Sequence, residues 1–137
     1  MTTIATVLVS YDPGTKTVTC VGGRGAQPDG SVDVEYGPGN TITFMGSGQD
    51  VKVWTFAEVK LTKQGTEDDP STFSTAKTDT QIVLTDNNAV PGTSDIIYGY
   101  VVHVNDLSSN TLVRSLDPKI KNKPNTQAQK KMRSGYA

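Results

Sequence analysis

Histidine and cysteine, the side chains that most often bind transition metals or pair as nucleophile and base, are scarce in this chain. There is one histidine, His103, and one cysteine, Cys20. A blue-copper site takes two His and one Cys, and a structural zinc site takes four Cys or His ligands, so this composition builds neither. His103 with Asp95 or Asp106 and any serine can be written as a triad. The spacing matches no known motif, and a half-polar strand position suits a structural or exposed histidine. Cys20 alternates with Val18 on one strand face and reads as a small core residue, with no His nearby in sequence to lower its pKa. "VGGRGAQPDG" is glycine-rich, but it matches neither the dinucleotide fingerprint nor the phosphate-cradling loop, and no helix pattern follows. It reads as a turn-rich surface loop. "TEDDPST" (66–72) and "TDNN" (85–88) cluster oxygen atoms. Calcium needs six to eight of them arranged in space. Adjacent Glu67, Asp68 and Asp69 point different ways on extended chain, so a solvated acidic loop is expected. No catalytic residue, metal or cofactor is expected.

Two features rise above this background, and both point to partners. In "VKVWTFAEVKLT" (51–62), Val51, Val53, Ala57, Val59 and Leu61 share one strand face. Trp54 and Phe56 share the other with Lys52, Glu58 and Lys60. Two large aromatics among charges suit a buried contact with a partner, or stacking on a sugar ring or base. A bulge in the strand would instead turn both rings into the core. The second feature is the C-terminus, which has no acidic residue after Asp117 and six basic ones: Lys119, Lys121, Lys123, Lys130, Lys131 and Arg133. Residues 1–118 hold 7 basic and 14 acidic residues, a net −7, and residues 119–137 carry +6, so the overall −1 hides a strong asymmetry. An acidic body with a basic arm suits electrostatic docking on nucleic acid, a membrane surface or another copy of the chain. The acidic loop at Glu67, Asp68 and Asp69 is a natural receptor for a neighbour's arm.

The elements that must carry these residues read as strands. About seven or eight short runs rich in Val, Ile and Thr are separated by Gly, Pro and Asn turns. They are 3–10, 16–22, 31–36, 41–46, 51–62, 80–85, 96–105 and 111–116. Pro13-Gly14 suits the centre of a tight turn between the first two, which predicts a hairpin. "SVDVEY" (31–36) alternates strictly. "IIYGYVVHVN" (96–105) is apolar on both faces, which predicts a central strand. No stretch shows a helical period. The pattern predicts an all-β, antiparallel β-sandwich of immunoglobulin-like or cupredoxin-like shape. Residues 1–118 form one domain, and 119–137 form a basic extended arm.

A chain of 137 residues builds a core without disulfide or metal staples. "MTTIATVLVSYDPG" reads as a first strand, not a signal peptide. No apolar run approaches the ~20 residues of a membrane helix. The expected compartment is the cytoplasm or a particle assembled there, cellular or viral.

"LTDNN", "IIYGYVVHV" and "SLDPKIKNKP" together resemble small bacterial proteins of the DP-EP family. The matching pieces are Asp86 and Asn87, the strand Tyr98 to Val104, and the ending Asp117, Pro118, Ile120 and Asn122. "GNTITF" (39–44) is similar to an early strand of the family. The resemblance spans about residues 1–124, and the tail after Pro124 extends beyond the family's usual ending. It implies a small β-sandwich and carries over no functional residue. The leading expectation is a non-catalytic structural protein that self-associates into a filament, shell or coat, its arm docking on a neighbour's acidic body. The alternatives are a carbohydrate- or peptide-binding module using the Trp54/Phe56 face, and an arm that binds nucleic acid, which the body's −7 would oppose.

Overall fold

The computed structural model describes residues 2–63, 72–90, 94–116 and 118–124. Within them lie ten strands and no helix: β1 (Thr2–Asp12), β2 (Thr17–Gly22), β3 (Val32–Val34), β4 (Gly37–Gly46), β5 (Trp54–Lys63), β6 (Phe73–Lys77), β7 (Gln81–Asn88), β8 (Ile96–Asp106), β9 (Thr111–Arg114) and β10 (Lys119–Asn122). They form two five-stranded sheets. The first runs β2-β1-β4-β7-β6. The second runs β3-β10-β8-β5, with β9 also on β8.

The predicted hairpin forms: β1 and β2 pair antiparallel from Val7↔Gly22 to Asp12↔Thr17. Asp12 Oδ1 accepts the Gly14 amide at 2.9 Å inside the turn. The sheets are mixed, however, not purely antiparallel as the turn signals suggested. β1 runs parallel to β4, and β3 runs parallel to β10. Turn residues mark where the chain reverses, but they do not reveal which strands meet after a crossover.

β8 is the central strand its two-sided apolar pattern predicted. It carries β5 along one edge and both β10 and β9 along the other. Its core face alternates Tyr98, Tyr100, Val102 and Val104, all at most 2% exposed. Across the interior, Tyr100 meets Phe44 of β4 edge-on at 5.2 Å, and Tyr98 meets Phe73 of β6 at 4.8 Å. Such aromatic pairs add to the burial that joins the sheets. Tyr100 also donates its hydroxyl to the carbonyl of Gly30 at 2.6 Å. Gly30 has φ 90°, and a Cβ there would stand 2.7 Å from that hydroxyl, so only glycine fits.

β10 corrects the domain boundary. Lys119, Lys121 and Lys123 were read as the start of an arm. Instead Lys119–Asn122 form a strand inside the second sheet, paired with β8 on one side and β3 on the other. The Lys123 amide continues the ladder to Val34. The alternation is short: Ile120 and Asn122 point inward with at most 1% exposure, while the lysines point outward. The body therefore extends through residue 124. Ile120→Ala is expected to cost about 2–5 kcal/mol, as for a fully buried aliphatic residue, read from urea unfolding. A loss within ~0.5 kcal/mol, the surface range, would return this segment to an arm.

Candidate interaction surfaces

The Trp54/Phe56 surface does not exist on the folded subunit. Trp54 is 3% exposed and Phe56 0%. The cause is a register shift against β8: Phe56 opposes Val104, and Glu58 opposes the next residue back, His103, which leaves Ala57 unpaired. Before this bulge the even positions face the core, and after it Val59 and Leu61 do. Trp54 then packs edge-on against Phe56 at 5.2 Å and against Tyr11 of β1 at 6.4 Å. Of the proposed docking charges, Lys123 is already engaged, its Nζ 3.7 Å from Asp33. Lys119 and Lys121 lie on β10 as described. Glu67, Asp68, Asp69, Lys130, Lys131 and Arg133 lie outside the described residues.

His103 lies on the outer side of β8, 3.4 Å from Glu58, and burial pushes its imidazole pKa below the ordinary value while Glu58 pulls the other way. Cys20 is partly buried against the core, and desolvation pushes its thiol up to about 11, which makes it a poor nucleophile. Among the described residues no three His, Cys, Asp or Glu side chains group as metal ligands. No helix among them is long and apolar enough to cross a membrane.

Two carboxyl groups that the sequence raised as a triad partner and as part of an oxygen-rich run, Asp106 and Asp86, are buried in the core. Asp106 ends the core-facing alternation of β8 and is 0% exposed. Tyr11 of the other sheet donates its hydroxyl to it at 2.5 Å. Ser108 donates through both its amide and its hydroxyl, Ser109 through its amide, and Lys16 Nζ stands 3.3 Å away. The Tyr11 bond, foremost among these, holds the Asp106 carboxyl well below the usual carboxylate range. Burial, reinforced by Asp106, raises the Tyr11 phenol to about 12. At the other end of the sandwich Asp86 of β7 meets Asn122 of β10 at 3.0 Å. Asn88 beside them donates to the carbonyls of Val34 and Lys123, at 3.1 and 2.7 Å. The signal for both was present: a polar residue on the core face of an alternating run.

The outer surface offers apolar groups instead of aromatics. Leu8 stands opposite Val21 on β2 and opposite Met45 on β4, so the three form one row across the outer face of the first sheet. They are 37%, 45% and 42% exposed. A second apolar point lies at the corner where the sheets join. There Val18 forms a single parallel bridge with Ser115. Leu116, 87% exposed, stands between two shallow clefts of about 390 and 560 Å³, one running past Cys20 and Asp29, the other past Lys16 and Arg114.

A family model described as the DP-EP family matches residues 3–124. No curated protein matches the chain. Among solved structures, the crystal structure of inclusion body protein (PixA) from Burkholderia cenocepacia J2315 is similar at 8% identity and a TM-score of 0.40, covering 88% of this chain and 92% of that one. A likeness that distant carries no argument about what this chain does.

The Asp106 cluster makes its own prediction. Its folded pKa is depressed, so the stability it contributes is present above the unfolded value of ~3.9 and is lost as pH falls through the folded value. Tyr11→Phe removes the leading cause and raises that folded value. Acid unfolding followed by circular dichroism is expected to begin at a higher pH in Tyr11→Phe than in the parent chain. Coincident acid transitions would show that the bond does not hold Asp106 ionised.

Proposed function

This chain belongs to the DP-EP family, and we propose that it is a non-catalytic structural protein whose copies associate with one another. The observation that carries this reading is the Val21–Leu8–Met45 row. The core closes without these side chains, yet they line up in register on an open sheet face. Directly opposed strand residues sit within ~5.5 Å of each other, so the three make one patch, the kind of surface that marks protein association. Leu116 is not part of the row; it follows Ser115 at the bridge to Val18. An interface that joins two unlike patches gives a ring where its rotation closes and a filament where it does not, whereas a self-matching patch gives dimers.

Charge supports an arm in the same assembly, but a shorter one than residues 119–137. With β10 in the sheet, the segment left to reach a neighbour is 125–137, with Lys130, Lys131 and Arg133 and no acidic residue. Residues 1–124 hold 10 basic and 14 acidic residues, a net −4. Each exposed ion pair contributes only about 0–1 kcal/mol, so the basic segment would steer and orient copies that apolar contact holds.

Light scattering after size exclusion tests both parts in the full-length chain. The parent is expected to run as a multi-subunit species. Leu8→Lys with Met45→Lys is expected to shift it to the 14.6 kDa monomer. Reversing Lys130, Lys131 and Arg133 to Glu is expected to slow or weaken association in a salt-dependent way. A monomeric parent at all concentrations would overturn the reading. Absorbance at 260 nm that co-purifies and is lost in high salt would point to nucleic acid in place of self-association.

A further inference from the structure

Asp86 and Asn122 meet in the interior between the two sheets, and their bonding is incomplete. β7 brings Asp86 to the core face after Ile82 and Leu84, and β10 brings Asn122 there two residues after Ile120. Asp86 is 0% exposed and Asn122 1%. Asn122 Nδ2 donates to Asp86 Oδ1, and two buried atoms are left without a partner, Asp86 Oδ2 and Asn122 Oδ1. If the carboxyl is ionised, both leftovers are acceptors and one carries charge. Away from water that arrangement is costly. Asp106 shows what an ionised carboxylate takes in this fold, with donors from Tyr11, Lys16, Ser108 and Ser109. Among the described residues Asn122 alone donates to the Asp86 side chain.

One proton resolves the mismatch. A neutral carboxyl has an O–H donor beside its carbonyl acceptor, and a carboxamide has the complementary pair. Turning the Asn122 amide over changes nothing, because its oxygen would then face Asp86 Oδ1 and need the same proton. We propose that Asp86 is held protonated in the folded chain and forms a neutral acid–amide pair with Asn122, a latch between β7 and β10 that weakens when the proton is lost.

Among the described side chains no charged neighbour supplies an alternative. β4 carries no charged residue, and Lys77 of β6 and Glu58 and Lys60 of β5 are exposed. On β10 the lysines alternate away from Asn122, and Lys123 turns its ammonium to Asp33. Burial accordingly pushes the Asp86 carboxyl up to about 7, against the downward pull of the Asn122 bond. An unfolded aspartate titrates near ~3.9. Between these values the folded chain keeps a proton that the unfolded chain has lost. The latch's contribution is therefore full below ~3.9 and is lost as pH rises through about 7. His103, whose pKa is lowered, works in the opposite direction just below its ordinary value, so Asp86 must be isolated by comparison with a variant.

Carbon-13 NMR of the side-chain carboxyls in the full-length chain tests the proposal directly. The Asp86 carboxyl carbon is expected to titrate with a midpoint near 7, well above the other aspartates. A midpoint at or below ~4, the ordinary range, overturns it. Asp86→Asn places a permanent amide donor opposite Asn122 Oδ1. Between about pH 5 and pH 8 the parent's folding constant is expected to fall on the order of 10- to 100-fold relative to this variant, read from urea unfolding. Equal pH dependence in the two proteins overturns the latch. If Asp86→Asn does not fold, the parent's carboxyl titration decides alone.

Discussion

Two open sheets packed face to face share a large apolar area, and apolar area has no direction. What fixes these sheets in one register is a small set of hydrogen bonds that cross the interior. Tyr11 of the first sheet reaches Asp106 of the second at one end of β8. Asp86 of the first reaches Asn122, which pairs with Ile96 at the other end of β8. Between them Tyr100 reaches the carbonyl of Gly30, in the loop that carries the chain from β2 of the first sheet to β3 of the second. A slide of either sheet would leave these buried polar groups unpaired, each at a cost comparable to a lost core side chain. Polar contacts therefore supply specificity, and the aromatic and aliphatic residues around them supply most of the burial.

The two buried carboxyl groups solve the same problem in opposite ways. Asp106 sits beside a turn, where backbone amides and hydroxyls are available to stabilise its charge. Asp86 sits within β7, paired to β4 on one side and β6 on the other, where the ladders occupy the neighbouring amides and a side-chain amide is the donor it meets. Location in the strand, not residue type, decides which carboxyl stays charged. The same logic explains why β10 matters beyond its four residues. It closes the gap between β3 and β8, delivers Ile120 to the core, and holds the partner of Asp86. Its loss would open an edge and strand a buried acid at once.

Much of this fold was legible, and the misreadings share a cause. The alternating runs marked eight of the ten strands and identified β8 as central. β6 was missed because only Phe73 faces inward, so an edge strand with four exposed residues reads as loop. β10 was missed because three lysines within five residues outweighed the inward alternation of Ile120 and Asn122. The Trp54/Phe56 reading failed on a single inserted residue. One bulge at Ala57 reverses which face is buried for the rest of the strand, and a strict two-residue period cannot anticipate it. The Val21–Leu8–Met45 row was invisible for a further reason. It joins three strands, so it exists only once the parallel β1–β4 pairing is known.

That pairing also shapes the outer surface of the first sheet. A sandwich of this size hides its apolar residues with ease, because outward strand positions tolerate Thr and Ser, as most of β1, β2 and β4 illustrate. Leu8, Val21 and Met45 break that habit at one level of the sheet. Single exposed apolar residues are ordinary, but three brought into register by both an antiparallel and a parallel neighbour form a continuous surface. Leu116 stands at the corner where Val18 and Ser115 tie the sheets together. The fold spends hydrogen bonds at that corner on Val102, which Ser115 engages through both its backbone and its hydroxyl. The backbone there is anchored while the leucine beside it is left outside. A rigid backbone presenting an exposed apolar side chain loses little conformational entropy on contact, which is the condition under which a small patch can hold a partner.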